Sequence, residues 1–387
     1  MSKSRLHQLS ELGQSVWIDS LSREWLRTGE LQRMMDEDAV VGVTSNPTIF
    51  EKAMSEGGWY DDQLREVLAE EDDLKEIFLR LAFDDITEAC DLFHPVWQRT
   101  DGVDGRVSLE VDPNFANDTE ATIEEAQRFH DTIDRPNLYV KIPATKEGLP
   151  AIEEMIARGK SINVTLIFSL QRYAEVAEAY IRGLERLVAG GGDLANTLSV
   201  ASFFVSRVDT ETDKRLDTIG GADDLKGRLA IANAKLAYHR YKEIFSGGRW
   251  EALAARGARP QRCLWASTST KNPAYRDVMY VEELIGPETV NTMPKETIEA
   301  FQDHGEVRPT LEEGLDEAHQ LFEELARVGI DYDDVTRVLE EEGVQKFADS
   351  FEELLEGIRA KRGELVSAPA HLAAGGSRRA EPGSAAG

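Results

Sequence analysis

Short apolar segments alternate with amphipathic segments from Val16 to about Thr292, and this alternation limits the possible folds more than any other feature. The apolar segments have the length and the β-branched and aromatic content of strands. Strand–helix alternation favours a parallel sheet, and eight such units favour a closed (β/α)8 barrel; an open doubly wound sheet is the alternative. The predicted strands are 16–19, 40–44, 106–111, 138–142, 162–168, 198–205, 262–267 and 289–292.

The amphipathic segments repeat apolar residues at helical spacing in 120–133, 147–158, 169–188 and 224–245. Residues 51–100 add a helical stretch, and we expect two helices after the eighth strand. The first of these two carries a possible capping box, Thr310 with Glu313, and the last runs from about Asp333 to Lys361. We predict one α/β catalytic domain over 1–362 and a disordered, low-complexity tail without a site over 363–387.

The charge balance narrows the possible partners. Lys and Arg number 44 against 72 Asp and Glu, a net charge of −28, so nucleic acids and anionic membranes are poor partners. Any pocket for an anion must therefore be a local positive exception. We expect a cytoplasmic protein, because the sequence has only two cysteines, no signal-peptide pattern and no apolar run of 18 residues.

Polar residues recur on one face of each predicted strand, opposite an apolar face. If the apolar faces pack against helices, the polar faces point into the barrel, near the carboxyl ends where barrel enzymes build their active sites. We therefore predict a shared functional cavity. The late polar positions are Asp19, Thr44, Glu110, Lys141, Asn163, Thr165, Ser202, Ser267 and Asn291.

Lys141, in "LYVKI", suggests the chemistry of an amine. Burial disfavours a charged ammonium, and a neutral amine condenses with a ketone or aldehyde to form a Schiff base. The protonated imine accepts electrons, so a neighbouring C–C bond can break. This scheme needs two acid/base groups besides the lysine, and Asp19 and Glu110 are sufficient for those roles.

Other chemistries have weaker support in the sequence. Phosphate-loop, dinucleotide and nucleophile-elbow motifs are absent, and the seven histidines are scattered, which argues against a zinc site. A magnesium site built from Asp19 and Glu110 lacks an obvious third carboxylate.

Each candidate also has a purely structural interpretation. These alternatives are an exposed edge-strand lysine for Lys141, a helix N-cap for Asp19, a salt bridge with Arg106 or a neighbouring strand for Glu110, a turn for Asn46 and a surface ion pair for Arg207.

Four segments together resemble those of transaldolases, and the resemblance runs from about Trp17 to the last helix. The segments are "VTSNPTIF", "LEVDP", "YVKIPAT" and "INVTLIFSLQRY". The helices before the third strand are similar to those of the longer bacterial subgroup. The resemblance implies a (β/α)8 barrel that transfers a dihydroxyacetone unit between sugar phosphates of the pentose phosphate pathway, without a metal or organic cofactor, as a monomer or homodimer.

The resemblance also implies a role for each matching residue. Lys141 corresponds to the Schiff-base lysine, and Asp19 to the acid/base acting on the C4 hydroxyl. The implied water-positioning pair is Glu110 and Thr165. Asn46 and Asn163 correspond to residues that hold the dihydroxyacetone hydroxyls, and Ser202, Arg207 and Ser267 to the phosphate and hydroxyl contacts. We also expect Thr44, Phe204 and Lys271 to bind the substrate.

Two segments depart from the family pattern. "SFFVSR" lacks a Pro and a Gly that relatives carry, although Ser202, Phe204 and Arg207 keep register. "STSTKNP" lacks an arginine after Ser267, which Lys271 would replace. Relatives that perform simple aldol cleavage carry Tyr at the position of Phe204. The competing functions are thus an aldolase that releases free dihydroxyacetone and a barrel that only binds sugar phosphates.

Overall fold

The computed structural model describes residues 4–55 and 57–367, and its centre is a closed barrel of eight parallel strands. The strands are β1 (Gln14–Ile18), β2 (Val40–Thr44), β3 (Arg106–Glu110), β4 (Leu138–Pro143), β5 (Ile162–Ile167), β6 (Ser199–Phe204), β7 (Arg262–Ala266) and β8 (Thr289–Met293). Each strand pairs with its neighbours in the chain, and β8 pairs with β1.

This closure confirms the predicted (β/α)8 barrel, and the alternative of an open doubly wound sheet is wrong. The predicted strand bounds differ from the observed ones by at most two residues. The strands could be predicted because both faces of a barrel strand are buried. The strand segments are therefore more apolar than the segments between them.

Helices surround the barrel and lengthen the connections between strands. Within the described residues they are α1 (Arg5–Glu11), α2 (Arg23–Thr28), α3 (Glu30–Glu37), α4 (Pro47–Ser55), α5 (Asp61–Val67), α6 (Leu74–Arg99), α7 (Thr119–Ile133), α8 (Gly148–Ala157), α9 (Leu170–Ala189), α10 (Ser206–Ile219), α11 (Leu229–Ile244), α12 (Gly248–Ala254), α13 (Met279–Glu282), α14 (Lys295–His304), α15 (Leu315–Arg327) and α16 (Tyr332–Ser367). None of them is both long enough and apolar enough to cross a membrane.

The segment after β8 differs from the prediction in three ways. Three helices follow the strand rather than two, because α14 begins directly after it. The proposed capping box is wrong: α15 begins at Leu315 after Gly314, while the Thr310 hydroxyl donates to the carbonyl of Glu282. The last helix, α16, continues to Ser367, past the predicted domain end at 362. The predicted tail beyond 367 lies outside the described residues.

Large side chains close the lower half of the barrel, at the amino-terminal ends of the strands. The rings of Trp17 and Tyr139 lie 6.2 Å apart, and both residues are buried. Gly42 leaves room for the indole, since a Cβ atom there would lie 2.5 Å from a ring atom of Trp17. This layer of large side chains separates the upper end of the barrel from its lower end.

The additional helices of the 51–100 region are attached to the barrel through a buried polar cluster. Arg23 of α2 pairs with Asp85 of α6 at 2.7 Å, and the hydroxyl of Tyr60 donates to the same carboxylate at 2.7 Å. Partners of this kind are needed because an unpaired buried charge costs several kcal/mol.

Helix α16 packs against α4 and α10, which follow β2 and β6. It therefore crosses the carboxyl ends of the strands. Phe347 lies on this helix and is buried, so the last helix of the described chain covers the upper end of the barrel.

Candidate active site

A cavity of about 170 Å³ opens at the carboxyl ends of the strands, beneath α16. Ten of its lining residues were predicted from the sequence; the remaining five are Ala266, Ser269, Thr292, Pro294 and Phe347. The predicted residues are Asp19, Thr44, Asn46, Lys141, Thr165, Ser202, Phe204, Arg207, Ser267 and Lys271.

Lys141 lies at the base of this cavity and is only 4% exposed. Its Nζ atom lies 3.0 Å from Oε2 of Glu110 on β3, and it donates to the backbone carbonyl of Ser45 at 2.9 Å. The alternative of a solvent-exposed edge lysine is therefore wrong, because a closed barrel has no edge. The salt-bridge alternative for Glu110 is correct about the neighbouring strand and wrong about Arg106, which donates to backbone carbonyls.

Burial raises the pKa of Glu110 above its usual range, and the positive charge of Lys141 opposes this effect. Removing a carboxylate from water disfavours its charged form, so burial makes protonation easier. Glu110 can therefore hold a proton at a pH at which an exposed glutamate would release it.

Asp19 follows the last residue of β1 and accepts a hydrogen bond from the hydroxyl of Thr44 at 2.6 Å. The hydroxyls of Thr44 and Thr292 lie 2.7 Å apart, which connects β1, β2 and β8 at this point. Burial raises the pKa of Asp19, while the Thr44 hydrogen bond and Lys141 oppose the rise. The N-cap alternative for Asp19 is wrong, because Ser22 caps α2.

A layer of amide and hydroxyl groups supports the cavity from below. Asn163 is fully buried, donates to the Ser108 hydroxyl at 3.1 Å and accepts from the Ser202 hydroxyl at 2.7 Å. Neither Asn163 nor Glu110 is among the cavity-lining residues. Thr165 does line the cavity, and its buried hydroxyl has no hydrogen-bond partner among the described residues.

Arg207 of α10 extends over the cavity between two aromatic rings. Its guanidinium carbon lies 5.1 Å from the ring centre of Phe204 and 5.9 Å from that of Phe347. No ion pair joins Arg207 to the described part of the chain, and its buried Nη1 atom has no hydrogen-bond partner there. The surface ion pair considered from the sequence is therefore wrong, and the donors of Arg207 are available for an anion.

Three further predicted residues lie at the rim. The hydroxyl of Ser267 is 2.9 Å from that of Ser206, and the exposed Lys271 donates to the Ser269 hydroxyl at 2.8 Å. The Oδ1 atom of Asn46 accepts from the amide of Ile49 at 3.0 Å at the start of α4. Asn46 therefore has the conformational role considered from the sequence and also borders the cavity.

The prediction for β8 was wrong by one residue. Asn291 accepts from the Thr268 hydroxyl and does not line the cavity, whereas its neighbour Thr292 does. Thr292 pairs in register with the inward-facing Trp17, so it shares the inward face. The pairing register carries this information, and the sequence of β8 alone does not.

Phe347 was also missed. The contact of its ring with the barrel centre depends on how α16 crosses the barrel, and the helical spacing predicts burial without naming a partner. No group of three or more His, Cys, Asp or Glu side chains in the described residues could hold a metal ion.

Together, the closed barrel and its buried lysine beside two carboxyl groups define the class of lysine-dependent barrel enzymes. The family described as Transaldolase/Fructose-6-phosphate aldolase matches residues 16–358. The chain belongs to this family, which confirms the resemblance found in the sequence.

Several curated bacterial proteins that are each named transaldolase are similar to this chain. The protein of Saccharopolyspora erythraea is 53% identical over 357 residues, which cover 92% of this chain and 97% of that protein. The protein of Acidothermus cellulolyticus is 53% identical over 367 residues, with 92% and 99% covered. The protein of Mycobacterium tuberculosis H37Rv is 53% identical over 359 residues, with 92% and 96% covered.

Proposed function

We propose that this member of the family is a transaldolase, a transferase that moves a dihydroxyacetone unit from a ketose phosphate to an aldose phosphate through a Schiff base on Lys141. The donors are sedoheptulose 7-phosphate and fructose 6-phosphate, and the acceptors are glyceraldehyde 3-phosphate and erythrose 4-phosphate. The observation that carries the proposal is the contact of Lys141 with Glu110, at the base of a cavity that also contains Asp19 and Arg207.

The reaction begins at Lys141. Its ammonium transfers a proton to Glu110, whose raised pKa suits it to accept one. The neutral amine then attacks the ketose carbonyl carbon, and the resulting carbinolamine loses water to give the imine. Glu110 and the unpartnered hydroxyl of Thr165 hold the water that leaves here and returns when the imine is hydrolysed.

Asp19 acts on the C–C bond. It takes the proton of the C4 hydroxyl as the bond between C3 and C4 breaks, and the bonding electrons pass into the protonated imine to give an enamine. The aldose product leaves, an aldose phosphate replaces it, and the same steps run in reverse. The lysine itself supplies the electron sink, so this scheme requires no metal or organic cofactor.

The remaining cavity residues hold the two ends of the substrate. Asn46 and Thr44 contact the dihydroxyacetone hydroxyls, and Asn163 supports this end from the buried layer below the cavity. Ser202, Phe204, Ser267 and Lys271 surround the other end. Arg207 binds the phosphate with its planar fork of donors. The proposal places this reaction in the cytoplasm, within a monomer or homodimer.

Borohydride trapping tests the central step. Incubation with fructose 6-phosphate and borohydride should attach a three-carbon adduct to the peptide that contains Lys141, as read by mass mapping. Lys141→Arg should give no adduct and no turnover, because a guanidinium stays charged and cannot form the imine. An adduct on Lys271 or Lys295 instead would show that the wrong lysine has been assigned.

The second candidate function, an aldolase that releases free dihydroxyacetone, fits the same lysine and is included in the family description. A coupled assay separates the two. A transaldolase turns over fructose 6-phosphate at a high rate only when an aldose phosphate acceptor is present, whereas an aldolase needs no acceptor. A barrel that only binds sugar phosphates would form no product in either assay.

A further inference from the structure

A second cavity, which we call the lower cavity, lies at the opposite end of the barrel from the active site. Its volume is about 480 Å³, and it is formed around the amino-terminal ends of the strands. The Trp17–Tyr139 layer lies between this cavity and Lys141. The lining residues used below are Asp104, Tyr139, Tyr241, Arg259, Arg262 and Glu288.

The lower cavity is lined by two arginines, Arg259 and Arg262, and by two carboxylates, Asp104 and Glu288. Arg262 pairs with Asp104 at 3.0 Å, and Arg259 pairs with the exposed Asp101. Arg106 is 1% exposed and has no carboxylate partner among the described residues; it donates to the carbonyls of Gly102 and Pro136. Arg106 therefore has no direct ion-pair partner among the described residues, and the charge of Asp104 acts on it from a longer distance.

Tyr139 provides an unused donor at the same place. It is 1% exposed, it lines the lower cavity, and its hydroxyl makes no hydrogen bond within the described chain. The guanidinium of Arg106 lies 4.8 Å from the centre of its ring. Burial raises the pKa of this phenol; the charges of Arg106 and Arg262 oppose the rise, and the charge of Asp104 adds to it. Because Tyr139 lines the cavity, its hydroxyl can donate a hydrogen bond to a molecule bound there.

We propose that the lower cavity binds a small organic anion, a carboxylate or a phosphate monoester with an apolar body. The anionic group accepts a hydrogen bond from the Tyr139 hydroxyl and offsets the unpaired charge of Arg106. The apolar body lies against Val41, Val103 and Leu198. A volume of about 480 Å³ is in the range of small-molecule sites and is too large for inorganic phosphate alone.

The test is calorimetric titration of the full chain with benzoate and with phenyl phosphate, which separate the two anionic groups. Arg207→Ala serves as a second background, because it removes the anion donor of the active site. Tyr139→Phe removes only the proposed donor. Tyr241→Phe is the matched control, since it removes a hydroxyl that lines the same cavity but lies 3.3 Å from Glu288.

At least one probe should bind the wild type and Arg207→Ala equally well. Tyr139→Phe should weaken that binding roughly 10-fold or more, as expected for a hydrogen bond to a charged group, and Tyr241→Phe should change it by less than about twofold. Binding lost in Arg207→Ala, binding unchanged in Tyr139→Phe, or no binding of either probe at about 10 mM would each overturn the proposal.

A crystal of the full chain soaked with the tighter probe keeps the test decisive if Tyr139→Phe is unstable. The anionic group should lie within hydrogen-bond distance of the Tyr139 hydroxyl. Density for the probe anywhere else, or nowhere, would refute the proposal.

Discussion

The Nζ atom of Lys141 lies 3.0 Å from Oε2 of Glu110, and the two residues are partners in register on β4 and β3. Register pairing of parallel strands therefore fixes this contact without any loop. A site built on strands holds its geometry better than one on loops, because the ladder hydrogen bonds constrain both backbones.

The two carboxyl groups should affect different steps. Asp19→Asn keeps an oxygen that can accept from Thr44 but cannot take a proton, so it should slow C–C cleavage by roughly 10² to 10⁴ while the imine still forms. Glu110→Gln should slow imine formation and hydrolysis. Single-turnover trapping with fructose 6-phosphate measures both steps. Wild-type trapping rates in both variants would contradict the role of Glu110.

Arg207→Ala should mainly affect phosphorylated substrates. Charge-assisted hydrogen bonds are worth about 1.5–3 kcal/mol, so kcat/KM for fructose 6-phosphate should fall roughly 10- to 150-fold. Turnover of unphosphorylated fructose should hardly change. Arg215→Ala is the control, because Arg215 lies on the same helix and pairs with Glu211 and Asp334. Equal losses on both substrates would mean that Arg207 supports the fold instead.

Phe347→Leu should weaken substrate binding by removing an aromatic face near the cations of Arg207 and Lys141. Cation–π contacts are worth about 0.5–2 kcal/mol, so kcat/KM of Phe347→Leu should fall roughly 2- to 30-fold. Phe347→Tyr keeps an aromatic ring and should retain the wild-type kcat/KM. Phe351→Leu is the matched control: Phe351 lies one turn later on α16, packs against Phe78 and does not line the active-site cavity. A loss of activity in Phe351→Leu equal to that in Phe347→Leu would indicate general destabilisation.

Asp209 should make stability depend on pH. It is buried, accepts from the Ala230 amide and the Tyr280 hydroxyl, and burial raises its pKa to about 7. Its pKa in the folded state is above its unfolded value of about 3.8, so the folded protein binds this proton more tightly. The free energy of unfolding therefore falls as pH rises from about 4 to 7.

Asp209→Asn cannot ionise and lacks this loss. Thermal unfolding from pH 4 to 8 should show its Tm rising relative to the wild type, by about 1 °C for each kcal/mol in a chain of 387 residues. The exposed Asp36→Asn should follow the wild type across the same range. A constant difference in Tm between Asp209→Asn and the wild type would contradict the raised pKa.

The sequence predicted the barrel and most of the site because the alternation along each strand records which face is buried. For this reason the sequence predicted that Asp19, Glu110 and Lys141 lie together. In the structure Asp19 and Lys141 line the cavity, and Glu110 contacts Lys141. It failed where the answer depends on other segments: the inward position of Thr292 follows from the register with β1, and that of Phe347 from the path of α16. Periodicity describes single elements, and contacts between distant elements need the assembled fold.

The position of Phe347 in the chain has a consequence for synthesis. Lys141 is translated before most of the chain, and the barrel can close once β8 is made, but the aromatic cover of the cavity comes from α16, the last helix of the described residues. Domains fold as units while the chain emerges from the ribosome. A partly made chain that ends before α16 would therefore hold the proposed Schiff-base lysine in a barrel whose upper end is not yet covered by Phe347.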